Sequence, residues 1–264
     1  MTYAEVEQAR LIKRERILRP ILEERVNHTR WVITRYPTPA LAQDARLSLE
    51  EFEDFYFSAC NIDWPSFSQK ITKLWRLMNK TDRVHIKAMD TDLRFSIKGI
   101  GAIKSEGLRN MPDGEVFTAP VRDSVEGHIT YNTPSLYQSR EFNGVRLEFR
   151  KGKIIQASAS SGDNKALGKI FDTDNGSSYI GEFALGLNQR ITRPMRNILF
   201  DEKIAGSIHF TPGMAYKTCD NKNRSAIHWD LVKILKGDGE IYFDGRLIQK
   251  NGRFVVSSLL DLNQ

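Results

Sequence analysis

The sequence predicts an α+β fold in which a helix-rich front, residues 1–80, precedes a strand-rich region, residues 81–264. Two observations lead to this prediction. Apolar residues of the front recur at helical spacing, whereas many segments beyond Asn79 alternate between apolar and polar side chains, as strands do. Short glycine turns between neighbouring strand-like segments favour antiparallel or mixed sheets in the second region.

The first element is a charged segment, residues 3–28, which predicts a helix that Pro20 kinks or splits. The next, WVITRYP (31–37), predicts a short strand that Pro37 stops. One strand among helices cannot satisfy its own edges. We therefore interpret residues 1–80 as the C-terminal part of an incomplete α/β domain, with helix faces left exposed or covered by a second copy of the chain.

Two more helices follow in the front. Ser48 and Glu51 form a capping box, which starts a helix that Trp64-Pro65 ends. A further helix is predicted over residues 65–79. Its apolar stripe is typical of a core-facing helix and consists of Phe67, Ile71, Leu74, Trp75 and Met78.

The strand-rich region contains two sets of hairpin signals. The predicted elements are strands at 83–89 and 91–99, a hairpin within 142–160, a helix at roughly 163–172, and strands within 239–258. The hairpin turns fall at Gly152 in the first set and at Gly245 and Gly252 in the second, each glycine following Lys, Asp or Asn. These turns divide residues 81–264 into antiparallel pairs.

Composition narrows the class of protein. The chain of 264 residues is 40% apolar and 27% charged, as in ordinary globular domains, and no stretch is long and apolar enough to cross a membrane. Cys60 and Cys219 lie far apart without a CxxC pattern, which suits a reducing cytoplasm. The net charge of +6 raises the question of a nucleic-acid partner, but the basic residues near the amino end alternate with Glu. We expect neither a nucleic-acid nor a membrane partner.

The stretch SAIHWDLVKIL (225–235) raises the question of a site. If it is a strand, Ile227, Trp229 and Leu231 share one face, and His228 and Asp230 share the other. An imidazole and a carboxylate placed together opposite an apolar face are either exposed to solvent or bind a ligand.

Three other strand-like segments carry metal-capable side chains within apolar runs. His209 lies in SIHF, Glu182 in YIGEFALG and Glu115 in GEVFTAP. A carboxylate within such a run is costly to bury unless it is paired or binds a cation. With His228 and Asp230 these residues make a set that suits zinc, cobalt, manganese or iron, and five ligands suffice for two ions that share a bridging carboxylate.

Other interpretations stand beside this one. A His-x-Asp pair on a strand is usually a surface pair or a core hydrogen bond, Glu115 follows a turn sequence, and Glu182 could pair with an arginine. His85 and His128 have no clustered partners and are predicted to be structural or exposed. Spacing alone leaves the metal hypothesis open.

The motifs around these residues are long. In order and spacing, NMPDGEVFTAPVRDSVEGHITYNTPS, YIGEFALGLN, NILFDEKIAGSIHF followed by GMAY, and SAIHWDL resemble the thermophilic aminopeptidase family of metallopeptidases, of the aminopeptidase T, aminopeptidase S and PepS type. The likeness runs from about Trp31 to the C-terminus. It implies a cytoplasmic, homodimeric enzyme that uses two divalent ions, zinc, cobalt or magnesium, to remove amino-terminal residues from peptides with a free N-terminus.

Carried over by position, the resemblance implies that Tyr216 lies close to the metals. It implies the following ligands: Glu115, Glu182, His209, His228 and Asp230. We expect Glu182 to bridge the ions, Tyr216 to donate a hydrogen bond to the oxyanion, and Glu126, in DSVEGH, to be a candidate general base.

The chain departs from the family in length, because the family's enzymes carry most of an N-terminal α/β domain before the part matched here. Two alternatives to an active aminopeptidase follow. One is a catalytically impaired relative that acts as a metal-binding or dimerising module. The other is a different two-metal hydrolase that acts on an amide or an ester.

Overall fold

The computed structural model describes residue 6 and residues 8–264. Its first helix, α1, spans Gln8–His28 and contains Pro20, so the proline does not split it. The remaining residues of the predicted helix, 3–5 and 7, lie outside the described residues.

The other front helices begin where their capping residues predict. α2 spans Pro39–Asp44, α3 spans Leu49–Cys60 and α4 spans Trp64–Met78. The capping box of α3 is confirmed: the Ser48 hydroxyl accepts from the Glu51 amide at 3.2 Å, and the Glu51 carboxylate accepts from the Ser48 amide at 2.8 Å. α2, a single helical turn and a half, was not predicted.

Two short helices lie in the strand-rich region, α5 at Asn164–Phe171, close to its predicted position, and α6 at Ile198–Asp201. The chain also forms 3-10 helices at Lys217–Cys219 and Ser257–Asn263. No helix in the described part of the chain combines the length and the apolar character that a membrane span requires.

The strands form two main antiparallel sheets. They are β1 (Ile33–Thr34), β2 (Arg83–Ala88), β3 (Thr91–Ser96), β4 (Ile103–Ser105), β5 (Asn110–Met111), β6 (Glu115–Thr118), β7 (Glu126–Thr130), β8 (Ser135–Tyr137), β9 (Arg140–Phe142), β10 (Arg146–Arg150), β11 (Lys153–Ser158), β12 (Ile180–Gly186), β13 (Ser207–Pro212), β14 (Leu231–Ile234), β15 (Glu240–Phe243), β16 (Arg246–Lys250) and β17 (Arg253–Phe254). The larger sheet has the order β11-β10-β7-β3-β2-β15-β16-β17, and the smaller has the order β14-β13-β12-β6-β4. The predicted α+β class is confirmed.

The two main sheets pack face to face through aromatic side chains. Phe95 and Phe149 of the eight-stranded sheet contact Phe210 of the five-stranded sheet, with ring centroids 5.1 and 5.9 Å apart, and Phe95 also meets Phe183 at 4.9 Å. The buried face of α4 joins the same core. A smaller core joins α3 to the segment that precedes β13. The five-stranded sheet is therefore fixed on one face, and its other face can be used for a site.

The strand predicted over 31–37 is much shorter than expected. Only β1 forms, and within the described chain it pairs in parallel with the two residues of β5 alone. The division of the chain near residue 80 stays a prediction, and the packing of α4 against the main core shows that the two parts are in contact.

Of the stretch 225–235, which was considered as a strand, only Leu231–Ile234 forms one. Before it, the described backbone pairs through a single bridge between His228 and Gly213, and the Trp229 amide donates to the Pro212 carbonyl at 3.2 Å. Burial nevertheless alternates along the segment as predicted, because Ile227, Trp229 and Leu231 are buried and His228 and Asp230 are half-buried. Trp229 is buried against the rings of Tyr137 and Phe171, and His228 lies on the other side.

Candidate metal centre

Three neighbouring strands bring predicted ligands to the same face of the five-stranded sheet. Glu182 lies in β12, and its sheet partner in β13 is Thr211. Two residues further along β12, Ala184 lies opposite His209, and Gly186 after that lies opposite Glu115 of β6. Directly opposed residues of antiparallel strands share a face, and alternate residues of one strand do too. The register therefore places Glu182, His209 and Glu115 together.

Small residues make room for this arrangement. Gly186 lies where an added Cβ would come within 2.3 Å of the Ile204 carbonyl oxygen, so only glycine fits there. The large apolar residues of the same strands, Phe183, Phe210 and Val116, alternate with the ligands and lie in the core. The sequence thus separates a polar face from an apolar face in each of the three strands.

The extended segment before β14 adds His228 and Asp230. The Nδ1 atom of His228 lies 2.8 Å from the Met214 carbonyl oxygen and donates its proton there, which leaves Nε2 directed to the carboxylates. The Thr211 hydroxyl donates to Asp230 Oδ1 at 2.7 Å. Both side chains are thus oriented by partners that are not themselves candidate ligands.

The distances join these five side chains into one cluster. His209 Nε2 lies 3.2 Å from Glu182 Oε1 and 3.6 Å from Glu115 Oε2. His228 Nε2 lies 3.4 Å from Glu182 Oε2 and 3.4 Å from Asp230 Oδ1. Ligand atoms fall into two compact groups, Glu115–Glu182–His209 and Glu182–His228–Asp230, each within 4.8 Å. Glu182 belongs to both groups and offers one oxygen to each.

Sequence reasoning missed two charged residues of the cluster, Glu202 and Lys203. A carboxylate oxygen of Glu202 forms a third group with ligand atoms of His209 and Asp230, again within 4.8 Å. The ammonium of Lys203 is completely buried and pairs with Glu115 at 2.5 Å. In the sequence, a Glu-Lys pair after a short helix is typical of an exposed ion pair, and only the apolar residues that follow it hint at burial.

The carboxylates change the proton affinity of both imidazoles. Burial alone lowers the pKa of His209, but the carboxylates of Glu115 and Glu182 more than offset this and raise it to about 10. For His228, burial again lowers the pKa, and Asp230 and Glu182 raise it to about 9. Both rings hold protons that balance the acidic cluster when no other cation is bound.

The pKa values of Glu182 and Glu115 are shifted in opposite directions. Burial raises the pKa of Glu182, but hydrogen bonds from the two imidazoles outweigh it and lower the pKa to about 2. Burial dominates at Glu115 and raises its pKa to about 8, although Lys203 acts in the opposite direction. Glu182 therefore stays ionised more readily than Glu115.

Tyr216 lies at the open side of the cluster. Its ring is 4.9 Å from the ring of His228 and 5.8 Å from that of Phe117, and 44% of the residue is exposed. Loss of solvation and the nearby carboxylates, first Glu182 and then Asp230, raise the pKa of its hydroxyl well above the ordinary value. The hydroxyl therefore keeps its proton and can donate a hydrogen bond.

Glu126 is not part of this cluster. It lies in β7 of the eight-stranded sheet, is exposed, and accepts a hydrogen bond from the Lys151 amide at 2.8 Å, which closes the β10–β11 hairpin. The structure thus places Glu126 at a hairpin turn of the other sheet, and its role as general base stays a prediction. His85 and His128 also lie in the eight-stranded sheet, away from the cluster.

The residues present fit a divalent metal. Carboxylate oxygens and imidazole nitrogens converge in a buried space, and they are ligands that zinc and cobalt accept. Glu115 Oε2 is buried and has no hydrogen-bond partner within the described chain. A buried carboxylate oxygen without a donor is costly, and coordination to a cation would remove that cost.

Comparison with known proteins agrees with the cluster. The model of a family described as thermophilic metalloprotease (M29) matches residues 3–254. Aminopeptidase AmpS of Bacillus subtilis is 33% identical over 163 residues, which is 57% of this chain and 39% of that protein. Aminopeptidase PepS of Streptococcus thermophilus is 27% identical, over 73% of this chain and 54% of that protein. Aminopeptidase T of Thermus thermophilus is 28% identical, over 86% of this chain and 66% of its own length.

Solved structures share the fold. Wild-type AmpT from Thermus thermophilus superposes with a TM-score of 0.73 at 25% identity, covering 91% of this chain and 69% of that one. A 2,5-dihydroxypyridine dioxygenase from Pseudomonas putida reaches 0.67 at 16% identity and covers 92% of this chain. The second likeness shows that the fold also serves a different chemistry. The chain spans less than two thirds of the length of AmpS and PepS.

Proposed function

Because the chain belongs to the thermophilic metalloprotease family M29, we propose that it is a metal-dependent aminopeptidase that uses two divalent ions. The observation that carries the proposal is the pair of ligand groups that share Glu182. Glu115 and His209 would complete the shell of one ion, and His228 and Asp230 that of the other. Zinc, cobalt and magnesium are the candidate ions.

Charge supports two ions rather than one. Five carboxylates surround the centre: Asp113, Glu115, Glu182, Glu202 and Asp230. Lys203 offsets one of them, so four negative charges remain when both imidazoles are neutral ligands. Two divalent cations match that number, and unbalanced charge in a buried site is costly.

Bound ions would supply Lewis-acid polarisation of a peptide carbonyl and a water acidified for attack. The protein supplies the rest. Tyr216, protonated and partly exposed, donates a hydrogen bond to the oxygen that becomes negative during attack. The free α-amine of the substrate would be held by a carboxylate of the cluster or by a bound ion. Glu202 has a side chain 13% exposed and pairs through Oε1 with Lys203, so Oε2 is the oxygen that it offers for that contact.

We also propose that the protein is cytoplasmic and forms a homodimer. Both cysteines are free thiols, as expected in a reducing compartment. The apolar side chains of Ile17, Ile21, Val32 and Tyr36 in the front of the chain are between 63% and 66% exposed. A second copy of the chain would cover them. Size-exclusion chromatography with light scattering measures the molar mass and so tests the homodimer. A stable monomer at micromolar concentration would contradict it.

Metal analysis combined with a peptidase assay tests the function. After dialysis, the protein should retain two divalent ions per chain and hydrolyse amino-acid anilides and short peptides. Removal of metal with a chelator should abolish turnover, and added zinc or cobalt should restore it. The matched N-acetylated anilides should not be cleaved, because they lack the free amine.

The alternative functions give different results in the same experiment. Two bound ions without turnover of any peptide would indicate a metal-binding or dimerising module. Cleavage of N-acetylated amides or of esters as readily as free-amine substrates would indicate another two-metal hydrolase. A chain that binds no metal would contradict all of these functions.

A further inference from the structure

Lys203 is the most enclosed charged residue of the described chain. Its side chain has no exposed surface, and its ammonium lies 2.5 Å from Glu115, 2.6 Å from Glu202 and 3.8 Å from Asp113. A buried ammonium needs this compensation. None of the proposed steps of hydrolysis uses it, so its presence at the centre requires another reason.

The backbone around Lys203 is held in place. Its carbonyl accepts from the Asn188 amide at 3.0 Å, and its own amide donates to the Phe200 carbonyl at 3.0 Å. The side chain of Asn188 in turn donates to the Asp113 carbonyl at 2.9 Å. The ammonium is therefore delivered from a fixed point beside the segment that leads into β6.

The contact with Glu115 has a specific geometry. Lys203 engages Oε1, and the other oxygen, Oε2, is the buried atom without a hydrogen-bond donor, 3.6 Å from His209 Nε2. A carboxylate held at one oxygen cannot rotate freely, and it cannot present both oxygens to one cation. The contact leaves Glu115 a single free oxygen on the side of His209.

We propose that Lys203 is a positioning residue for the Glu115–Glu182–His209 group: it binds one oxygen of Glu115 and leaves the other to a metal ion. This inference rests on the proposed metal centre. It predicts that Lys203 controls the affinity of one ion and not of the other. Within the described chain the ion pairs of Lys203 include Glu115 of the first ligand group but not Asp230 of the second.

A second buried lysine provides a matched control. Lys233 in β14 is 3% exposed, and its ammonium donates to the carbonyl oxygens of Thr130 at 2.8 Å and Met89 at 3.3 Å. It is the same side chain in the same sheet region, but it contacts backbone oxygens and no candidate ligand. Lys233→Met and Lys203→Met therefore remove the same charge from places that differ in their relation to the cluster.

The test is titration of the metal-free full chain with Co²⁺ alone. Calorimetry and the visible absorption of the bound ion monitor the titration. Lys203→Met should lower the affinity for one of the two ions by about 10- to 100-fold, as loss of an orienting partner does. The dissociation constant of the other ion should change by less than about threefold. Lys233→Met should leave both affinities within that range.

Unchanged or tighter binding of both ions in Lys203→Met would overturn the inference, as would equal weakening of both. If that variant does not fold, Asp113→Asn/Lys203→Met leaves one fewer buried carboxylate uncompensated, with Asp113→Asn alone as its control. Weaker binding of one ion in the double variant than in Asp113→Asn supports the inference, and equal binding in the two variants overturns it. A wild-type chain that binds no Co²⁺ contradicts the proposed function itself, before any variant is compared.

Discussion

The two main sheets carry the same kinds of polar residue under opposite conditions. On the eight-stranded sheet, His85 Nε2 lies 2.7 Å from Asp92 Oδ1, and the side chains are 23% and 48% exposed. On the five-stranded sheet, His209 Nε2 lies 3.2 Å from Glu182 Oε1, and the side chains are 1% and 4% exposed. Water solvates the first pair, whereas the second has only other protein groups to balance its charge.

The difference arises from the segments that cover each face. The loops that carry Lys203, Tyr216 and His228 all contact the polar face of the five-stranded sheet. Alternation along neighbouring strands places a histidine and an acid on one face of both sheets. Only cover by other segments turns such a face into a place where a cation is required, and the following predictions test that distinction.

The largest effect is expected for Glu182→Gln. A neutral amide bridges cations poorly, so the variant should lose most bound metal and essentially all turnover. Glu148→Gln, on the eight-stranded sheet opposite His128, is the matched control and should change neither. Elemental analysis of dialysed protein and an anilide assay measure both. Near-normal metal content in Glu182→Gln would remove Glu182 from the centre.

Trp229→Ala should separate stability from metal binding within one segment. The ring is 3% exposed and stacks on Tyr137 and Phe171, so its loss should cost about 3–5 kcal/mol of unfolding free energy. Denaturant unfolding of the metal-free chain measures it. Asp230→Asn, the next residue, should cost little stability in that assay but should weaken metal binding. A reversed pattern would contradict the alternation of this segment.

The metal-free chain should lose stability as the pH rises. The pKa values of His209 and His228 are raised to about 10 and about 9, above the unfolded value of about 6.5. Their protonation therefore stabilises the fold fully below about pH 6.5, and this contribution is lost as the pH rises through 9 and 10. Glu115, with its pKa raised to about 8, acts in the same direction.

Thermal melting at pH 6.5 and pH 9.5, with and without bound metal, measures this effect. The metal-free melting temperature should fall more steeply than that of the loaded protein, in which the ions take over the role of the protons. Parallel curves would show that the imidazoles do not carry those protons.

The smallest effect is expected for His85→Ala. The ion pair of His85 with Asp92 is partly solvated, so its loss should change the unfolding free energy by no more than about 1 kcal/mol. Metal content and turnover should be unchanged. A large loss of bound metal would mean that the eight-stranded sheet takes part in the centre.

The elements that sequence analysis predicted well are those fixed by local chemistry. The capping box at Ser48, the glycine turns at Gly152, Gly245 and Gly252, and the helix at Trp64–Met78 depend on residues close in the chain, and the structure confirms them. β1 and the strand within 225–235 are shorter than predicted. Strand length depends on which partner lies alongside, and one sequence does not give that information.

In the candidate site, too, sequence analysis found the features that depend on nearby residues and missed those that depend on distant ones. Five candidate ligands could be chosen because a metal-capable polar residue within an apolar run is unusual. Glu202 and Lys203 were missed because adjacent opposite charges are ordinary in any sequence, and their burial depends on the distant residues Glu115 and Asp113. Glu126 was chosen from a loop-like context, but the hairpin that it caps lies in another sheet.

The strand order of the five-stranded sheet has a consequence for folding. Glu115 and Asp230 lie far apart in the sequence, so the ligand set is complete only after β6, β12, β13 and the segment before β14 have come together. Contacts between residues so distant in sequence form late and slowly. We expect metal to bind a chain that has already folded. The metal supply should therefore change the unfolding rate of the native protein and leave its folding rate unchanged.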